Sequence, residues 1–280
     1  MDDQNFERWL GRTETVEDYI GATQACAAAA TLDLPAETFV PGAALPPLWQ
    51  WFYFLPQAPQ AKLSADGHPE RGGFMPPIAL PRRMFAGSRL NFIQPLRIGQ
   101  PARRAGIIRA ITQKSGRSGN LAFVTVGYHY LQGDQLCIEE EQEIVYREPG
   151  AAVAAPTPLA LPAAPEGAWT RTVTPDPRLL FRFSALTFNA HRIHYDRPYA
   201  TGEEGYPGLV VHGPLTAVLL LELVRQHTTR PIASFSFRGQ APLFDLAPFR
   251  LVAIPSDNEV ALEAQAPDGT VALRANAGLG

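Results

Sequence analysis

The segment "HGPLTAVLLLELVRQH", residues 212–227, is apolar over almost its whole length. Such a segment is typical of a helix that is buried on all sides, and Pro214 suits a first turn because no N–H is needed there. The pattern therefore predicts a helix over residues 214–227. Strand patterns follow it at residues 232–238, 249–254, 260–266 and 270–277. The second half of the chain is thus predicted as one buried helix followed by antiparallel strands.

The first half of the chain repeats this order of elements. A first helix is predicted over residues 15–30, with Thr15 as its cap and Asp18 three residues later. A second helix, apolar on all sides, is predicted over residues 48–56. A proline-rich loop, residues 66–89, precedes three strand patterns joined by turn sequences, at residues 105–113, 121–131 and 135–146. The economical interpretation is two copies of one α+β unit.

A segment rich in alanine and proline, residues 149–167, separates the two halves. It reads "PGAAVAAPTPLALPAAPEG", and Glu166 is its only charged residue. Prolines favour an extended chain, and this composition cannot form a face to bury. We therefore predict an interdomain linker between a first domain, residues 1–148, and a second domain, residues 168–280.

The composition excludes several classes of protein. The formal charge of the 280 residues is −3, so no nucleic-acid partner is expected. Cys26 and Cys137 are far apart, which argues against a disulfide framework and fits a reducing compartment. No secretory signal or membrane span is predicted, because the longest apolar run is short and contains Glu222. We therefore expect a cytoplasmic protein. We expect no nucleotide cofactor, since no glycine-rich phosphate motif is present.

A cluster of polar residues precedes the helix of the second half. The stretch "ALTFNAHRIHYD", residues 185–196, contains Asn189, His191 and His194. An imidazole beside a carboxamide can hold and deprotonate a water molecule. Gly213 stands at the helix start, where a free backbone N–H is a suitable donor to a developing oxyanion. Together these groups suit chemistry at a carbonyl or a thioester.

Spacing alone leaves two other interpretations of the histidines open. His191 and His194 are three residues apart, as zinc ligands can be, but no further cysteine or carboxylate falls at a usual zinc spacing. The two histidines could instead close a turn before the helix and have only a structural role. Because a third ligand is absent, we predict that no metal is bound.

Several arginines are candidates for binding an anionic ligand. Arg82, Arg83 and Arg89 follow a run of prolines, and guanidinium groups bind carboxylate and phosphate through paired hydrogen bonds. Arg238 lies in an apolar strand pattern, where its charge requires a ligand phosphate or an internal carboxylate as partner. The alternative for the first three is a solvated loop face. Arg117, in "KSGRSGN", belongs to a hairpin turn or contacts a phosphate.

The second-half motif resembles that of the MaoC-like hydratases and dehydratases, on "SALTFNAHRIHYDRPYA" and "EGYPGLVVHGPLTAVLLL". In that family an aspartate and a histidine activate water, and a glycine at a helix start binds the thioester oxygen. The resemblance places Asn189 at the aspartate, His194 at the histidine and Gly213 at the glycine. Because a carboxamide cannot accept a proton, the base role falls to His194, and Asn189 orients the water. His191, where the family has asparagine, is assigned to substrate binding.

Upstream motifs narrow the resemblance to the type-2 hydroxyacyl-thioester dehydratases, on "DGHPERGGFMPPIALPRRMFAG" and "KSGRSG". The resemblance covers nearly the whole chain. It implies a double hot-dog fold, in which two antiparallel sheets each wrap around a long central helix. It also implies that the first half brings substrate contacts rather than chemistry. The implied ligand is an acyl-CoA substrate, with no other cofactor, and we expect a homodimer.

This subgroup includes hydratases of dicarboxylic C5 thioesters of CoA. The resemblance therefore implies water addition to itaconyl-CoA or mesaconyl-C4-CoA, which yields citramalyl-CoA. Such a substrate carries a carboxylate that needs a counter-ion when it is buried, and Arg83 is our first choice. The alternatives are a dehydratase of the fatty-acid type, a hot-dog thioesterase and a non-catalytic acyl-CoA-binding module.

Overall fold

The regular structure consists of ten strands and four α-helices within residues 6–116, 119–150, 152–161 and 163–280, which the computed structural model describes. The strands are β1 (Thr13–Tyr19), β2 (Arg82–Phe92), β3 (Pro101–Gly116), β4 (Gly119–Gln132), β5 (Gln135–Arg147), β6 (Trp169–Val173), β7 (Ile232–Gly239), β8 (Phe249–Pro255), β9 (Glu259–Gln265) and β10 (Val271–Leu279). The α-helices are α1 (Ala22–Thr31), α2 (Pro177–Leu186), α3 (Arg197–Gly202) and α4 (Gly213–His227). Short 3-10 segments lie at Glu7–Trp9, Trp49–Phe52, Gln60–Lys62 and Arg192–His194.

The two halves of the chain share one order of strands. Across the sheet the order is β1-β3-β4-β5-β2-β7-β10-β9-β8-β6. Read inward from the β6 edge, the second half has its first, third, fourth, fifth and second strands, which is the order of the first half. Each half also places an α-helix after its first strand. This topology agrees with the interpretation of two copies of one α+β unit.

The two halves form one continuous sheet rather than the two separate sheets that we expected. β2 pairs with β7 in antiparallel register, from Gly87 opposite Arg238 to Asn91 opposite Ser234. Gly87 permits this contact, because a Cβ there would lie 2.4 Å from the carbonyl oxygen of Phe237. Backbone hydrogen bonds between β2 and β7 therefore join the two halves at the centre of the sheet.

The helix predicted over residues 214–227 is confirmed as α4. Every residue from Leu215 to Val224 is buried, and the helix packs on β6, β8, β9 and β10. Glu222 is charged but buried, and it accepts hydrogen bonds from Trp49 Nε1 and Arg225 Nη1 at 2.9 and 2.6 Å. Charged groups remain in a protein interior only when they are paired in this way.

The helix predicted over residues 48–56 is wrong, although its burial is confirmed. Only Trp49–Phe52 forms a 3-10 turn. Leu48 and Phe54 both have left-handed backbone conformations, with φ of 70° and 54°, so the helix cannot continue past either residue. The described part of the first half consequently lacks a counterpart of the long helix α4, and residues of this segment line the cleft described below.

The helix predicted over residues 15–30 is correct only from Ala22. Residues Thr13–Tyr19 form β1, whose side chains alternate between exposed and half-buried, because it pairs with β3 along one edge of the sheet. The Asp18 carboxylate does not cap a helix; it accepts a hydrogen bond of 2.6 Å from the Phe54 N–H. The sequence of this strand does not alternate between apolar and polar residues, since its half-buried side chains are Glu14, Val16 and Asp18.

The remaining predictions of secondary structure agree with the structure, except at the end of the proline-rich loop. The strands predicted after each helix are confirmed as β3, β4, β5, β7, β8, β9 and β10. The loop predicted over residues 66–89 ends at residue 81, because β2 begins at Arg82. The described part of segment 149–167 contains no helix or strand, and Arg117 lies outside the described residues. Among the described residues, no helix is long and apolar enough to cross a membrane.

Candidate active site

A cleft of about 1270 Å³ lies where the two halves meet, and residues of both halves line it. Four of the described lining residues are histidines, which form the histidine cluster: His68, His191, His194 and His212. Two aromatic side chains in or next to the 3-10 turn Trp49–Phe52, those of Trp51 and Phe54, also line the cleft. A volume of this size suits a ligand larger than a typical drug molecule. The position at the junction agrees with the expectation that the first half contributes contacts to the site.

The predicted motif folds as a tight turn after helix α2. The Asn189 N–H donates to the Ser184 carbonyl at 2.8 Å, and the Asn189 Oδ1 accepts from the His191 N–H at 3.0 Å. The carboxamide oxygen of Asn189 is therefore occupied by the backbone. Its NH₂ group, which can only donate, has no hydrogen-bond partner among the described residues, and Asn189 lines the cleft.

His194 is held in one tautomer by the backbone. Its Nδ1 lies 2.7 Å from the carbonyl oxygen of Val210, so Nδ1 carries the hydrogen and Nε2 keeps its lone pair. The ring is buried and stacks on His212 with centroids 3.6 Å apart. Burial, followed by the nearby His191, lowers the pKa of His194 to about 3. His194 is thus a neutral acceptor that does not readily hold a positive charge.

His212 and Gly213 form the start of helix α4. His212 Nε2 lies 2.9 Å from Ser184 Oγ, and burial keeps the pKa of His212 well below its usual value. Its Nδ1 is buried and has no partner among the described residues. No acceptor is recorded there for the Gly213 N–H either, and Pro214 provides no N–H. The Gly213 amide is therefore a free donor at a helix N-terminus, and its role as the oxyanion donor stays a prediction.

The first half contributes two titratable residues that the sequence analysis missed. Asp66 Oδ2 lies 2.9 Å from His68 Nδ1, and the His68 N–H donates to Asp66 Oδ1 at 3.0 Å. The His68 ring lies against His191, with centroids 4.1 Å apart. His191 in turn meets His194 edge-on at 5.4 Å. The first half therefore brings titratable side chains to the site, and the expectation that it contributes substrate contacts rather than chemistry stays a prediction.

Backbone contacts fix the loop of Asp66 and His68 against the motif loop. The Arg192 N–H donates to the Asp66 carbonyl at 2.9 Å, and Arg192 Nη1 donates to the Ala65 carbonyl at 3.0 Å. Gly67 has φ of +92°, and a Cβ there would lie 1.7 Å from the carbonyl oxygen of Ala190. Only glycine permits both this conformation and this approach. Two loops that are distant in sequence therefore form one structural unit.

Electrostatics in the cluster favour an ionised Asp66 beside neutral imidazoles. Burial raises the pKa of Asp66, but the hydrogen bonds and charge of His68 outweigh it and bring that pKa to about 2. Burial lowers the pKa of His68, and the hydrogen bond to Asp66 opposes this effect. Burial and then His68 lower the pKa of His191 to about 3. Of the cluster's imidazoles, His68 alone has a carboxylate as hydrogen-bond partner among the described residues.

The buried histidines predict an acid-sensitive fold. His191 and His194 titrate near 6.5 when unfolded and near 3 when folded, so the unfolded chain binds more protons and stability falls as the pH drops from 6.5 toward 3. We expect each to lower the free energy of unfolding by about 2 kcal/mol at pH 5. Protonation of Asp66 lowers the free energy of unfolding further, but only as the pH falls from 3.8 toward 2.

Urea unfolding at about pH 7.5 and pH 5 measures this effect. The variant His129→Gln is the matched control, because His129 is half-exposed on β4 and should leave the pH dependence unchanged. Equal free energies of unfolding at the two pH values would contradict the burial of neutral histidines.

Only one of the four candidate arginines is available in the cleft. Arg82 forms an ion pair with Glu204, at 3.0 Å, and does not line the cleft. Arg89 is exposed, pairs with Glu141 and lies outside the cleft. Arg238 lines the edge of the cleft but is largely exposed and pairs with Glu143 at 3.1 Å.

Arg83 differs from its neighbours. It lines the cleft, is half-buried and has no recorded ion pair or hydrogen bond among the described residues. Its charge lies close enough to lower the pKa of both His68 and His191. An unpaired guanidinium beside the histidine cluster is a suitable counter-ion for an anionic ligand.

Two further polar side chains line the cleft and escaped the sequence analysis. Gln50 is 1% exposed, and neither its Oε1 nor its Nε2 has a partner among the described residues. Arg104 pairs with Glu14 at 3.3 Å, while its buried Nε has no partner. Buried polar atoms without partners are costly, so these groups are available to a polar ligand. Gln50 was hidden because the segment around it reads as purely apolar.

The ground on which we predicted no metal is wrong. Asp66, His68 and His191 each offer a ligand atom, and these atoms lie within 4.8 Å of one another. Two of these three groups, Asp66 and His68, could not be predicted from the spacing of the histidines because they come from the first half of the chain. The closest pair, Asp66 and His68, is at hydrogen-bond distance. The absence of a metal stays a prediction.

Comparisons with known proteins identify the family. The family model described as hydroxyacyl-thioester dehydratase type 2 matches residues 48–245. The chain is 69% identical over 280 residues to the protein of Chloroflexus aurantiacus named mesaconyl-C(4)-CoA hydratase, covering 100% of both chains.

Solved structures give the fold. A MaoC-like dehydratase from Phytophthora capsici has a TM-score of 0.71 at 14% identity, covering 99% of this chain and 98% of that chain. The protein RV0216 of Mycobacterium tuberculosis, described as a double hot-dog, has a TM-score of 0.55 at 15% identity, covering 97% and 96%. The fold is thus of the double hot-dog type, and the chain is a lyase that belongs to the hydroxyacyl-thioester dehydratase type 2 family.

Proposed function

We propose that the chain hydrates a short dicarboxylic enoyl-CoA, mesaconyl-C4-CoA or itaconyl-CoA, to citramalyl-CoA. The observation that carries this proposal is the unpaired Arg83 guanidinium in the cleft beside the histidine cluster. The name of the relative from Chloroflexus aurantiacus supports the same substrate class. The reaction adds water without a change of redox state, so the proposal includes no cofactor other than the CoA of the substrate.

The reaction requires a site for water, a site for the thioester oxygen and a route for one proton. In our proposal, the attacking water donates a hydrogen bond to His194 Nε2, the lone pair that the Val210 carbonyl leaves free. The Gly213 N–H donates to the thioester oxygen, where negative charge builds as the water oxygen bonds to Cβ. The Asn189 NH₂ group donates to the water oxygen and His191 lines the substrate site. One water O–H bond breaks as the water oxygen bonds to Cβ, a base of the histidine cluster takes the proton, and the same proton is returned to Cα of the enolate.

Arg83 is assigned to the carboxylate of the substrate. In mesaconyl-C4-CoA the carboxylate is attached to Cβ, the carbon that water attacks. Removing this charge from water without a counter-ion is very costly. Arg83 is the only one of the four candidate arginines that is both in the cleft and without a recorded partner in the described part of the chain. A substrate with a long hydrocarbon chain has no use for a cation at this point.

The variant Arg83→Ala tests the substrate assignment. We expect it to lower kcat/KM for mesaconyl-C4-CoA by about one to two powers of ten, the value of a charged hydrogen bond of roughly 1.5–3 kcal/mol, and to change little for crotonyl-CoA. Steady-state rates with both esters give the two ratios. Arg89→Ala is the matched control, since Arg89 belongs to the same strand but lies outside the cleft.

Other outcomes of this assay would favour the alternatives. A wild-type preference for crotonyl-CoA or longer esters would reject the dicarboxylic substrate in favour of a dehydratase of the fatty-acid type. Release of free CoA would indicate a thioesterase. Tight binding of every ester without turnover would indicate a non-catalytic acyl-CoA-binding module.

We also propose the organisation of the active molecule. Residues 1–148 and 168–280 are the two hot-dog units, joined by residues 149–167. The repeated order of strands supports this division. A homodimer in the cytoplasm is the proposed state, and light scattering of the purified protein measures its mass.

A further inference from the structure

We propose that His68, held in place by Asp66, is a catalytic residue that carries the transferred proton during hydration. This inference rests on the proposed function and extends it. His68 takes the proton from the attacking water and returns it to Cα of the substrate, whereas His194 binds and orients the same water. Asp66 acts as a positioning residue behind His68.

The hydrogen bond between Asp66 and His68 leaves the other ring nitrogen, Nε2, free to accept a proton. Asp66 Oδ2 is 2.9 Å from His68 Nδ1, so the hydrogen of the neutral ring lies on Nδ1 and the lone pair on Nε2. His68 lines the cleft and lies 4.1 Å, between ring centroids, from His191. A carboxylate in this position fixes the tautomer of a histidine and stabilises the imidazolium that forms when the ring accepts a proton.

His194 lacks the same support. Its Nδ1 is bonded to a neutral carbonyl, that of Val210, and the nearest side chains that stack on or contact its ring are His191 and His212. A proton on His194 would create a buried charge without a counter-ion, which is very costly. A proton on His68 forms an ion pair with Asp66 instead. The two imidazoles therefore suit different tasks, although both present a free Nε2.

The proposed steps balance in atoms and charge. The water oxygen bonds to Cβ, one water O–H bond breaks, and its proton bonds to His68 Nε2. The π electrons of the double bond move to Cα and the thioester oxygen, which Gly213 stabilises. The enolate then takes the proton from His68 Nε2 to form the Cα–H bond, and His68 returns to its neutral state. No oxidant, reductant or second proton donor is required.

Five titratable or charged groups interact with His68: Asp66, Arg71, Arg83, His191 and His194. Arg71 and Arg83 oppose a positive charge on the ring, and the Asp66 carboxylate favours it. Arg71 donates to the carbonyls of Leu80 and Pro81, so its position is fixed by its own loop. Binding of a substrate carboxylate to Arg83 would neutralise the other cation. Loss of Asp66 therefore has a predictable sign: protonation of His68 becomes harder.

Substitutions at both positions, measured on the full-length protein with mesaconyl-C4-CoA, test the assignment. We expect His68→Gln to lower kcat by roughly a hundredfold or more, with a small change in KM, because a general acid–base group is lost. Asp66→Asn keeps an oxygen that can accept from Nδ1 but removes the charge. It should lower kcat less, and should move the acidic limb of the kcat/KM profile to lower pH by roughly one unit. His129→Gln is the matched control, because His129 also faces a carboxylate, Glu139, but outside the cleft.

Each outcome decides for or against the proposal. Thermal unfolding and binding of CoA must match wild type, and His68→Asn serves as a second variant if His68→Gln does not fold. A kcat within tenfold of wild type for a folded His68 variant overturns the proposal, as does an unmoved acidic limb in Asp66→Asn. Loss of wild-type activity with a chelator and its recovery with zinc would also overturn it, in favour of a metal site on the same residues. Absence of wild-type turnover with every enoyl-CoA would instead reject the proposed function itself.

Discussion

Turnover of mesaconyl-C4-CoA is expected to fall by two or more powers of ten when His194 is replaced by alanine. The substitution removes the Nε2 lone pair to which we assign the attacking water, and loss of a group that positions or deprotonates the nucleophile has an effect of this size. Steady-state kinetics of the purified variant measure the effect. His194→Gln, which retains an acceptor oxygen and more of the buried volume, should retain more stability than His194→Ala.

His227→Ala is the matched control for this substitution. His227 is also held by a backbone carbonyl: its Nδ1 donates a hydrogen bond to the Leu223 carbonyl at 2.9 Å. It stacks on Trp169 at the far end of α4 and does not line the cleft. A folded His194→Ala variant with near-normal kcat would contradict the assignment of the water site, whatever the result for His68.

The second large effect is expected from Gly67→Ala, at a position that contacts no substrate in our proposal. A Cβ at Gly67 would lie 1.7 Å from the Ala190 carbonyl oxygen, so the loop of Asp66 and His68 must move away from the motif loop. A misplacement of about 1 Å at reacting groups costs about a hundredfold in rate. We therefore expect kcat to fall by about two powers of ten, with a measurable loss of stability from the strained conformation at φ of +92°.

Gly72→Ala separates the contact from the backbone strain. Gly72 lies in the same loop and has φ of +95°, but the nearest atom to a Cβ there is Pro77 Cβ at 3.9 Å. Both variants therefore carry the same conformational penalty, and only Gly67→Ala has the overlap. Measurement of kcat and thermal stability for the pair decides the matter: equal activities would show that the approach of the two loops is unimportant for catalysis.

Groups close together in the sequence were predictable, because their spacing fixes their geometry. Asn189, His191 and His194 lie in one turn, Gly213 begins helix α4 after the intervening helix α3, and the structure brings all four residues to the same cleft. Helix α4 was equally clear, since a long apolar segment with a proline in its first turn has few other solutions. The strands after each helix followed from short apolar patterns between turn residues.

Groups that meet across the chain were not predictable from a single sequence. Asp66 and His68 read as part of a proline-rich loop, and nothing in their local pattern indicates that Gly67 packs on Ala190. The choice among the arginines depends on β2, for which the sequence predicts a loop. A strand turns adjacent side chains to opposite faces, so Arg82 meets Glu204 while Arg83 lines the cleft. The shortened helix at Trp49–Phe52 depended on two left-handed residues that have side chains, which no pattern rule favours.

The pairing of β2 with β7 has a consequence for how the chain avoids aggregation. Unpaired strand edges are templates for association with other chains, and the danger grows with their length. The two outer edges of the sheet are β1 and β6, with 7 and 5 residues, whereas the strands that meet at the centre have 11 and 8. Each half on its own would expose one of these longer edges to solvent. Because the two halves are one chain, the long edge strand of each half is paired with the long edge strand of the other. Only the short strands β1 and β6 remain as unpaired edges of the sheet.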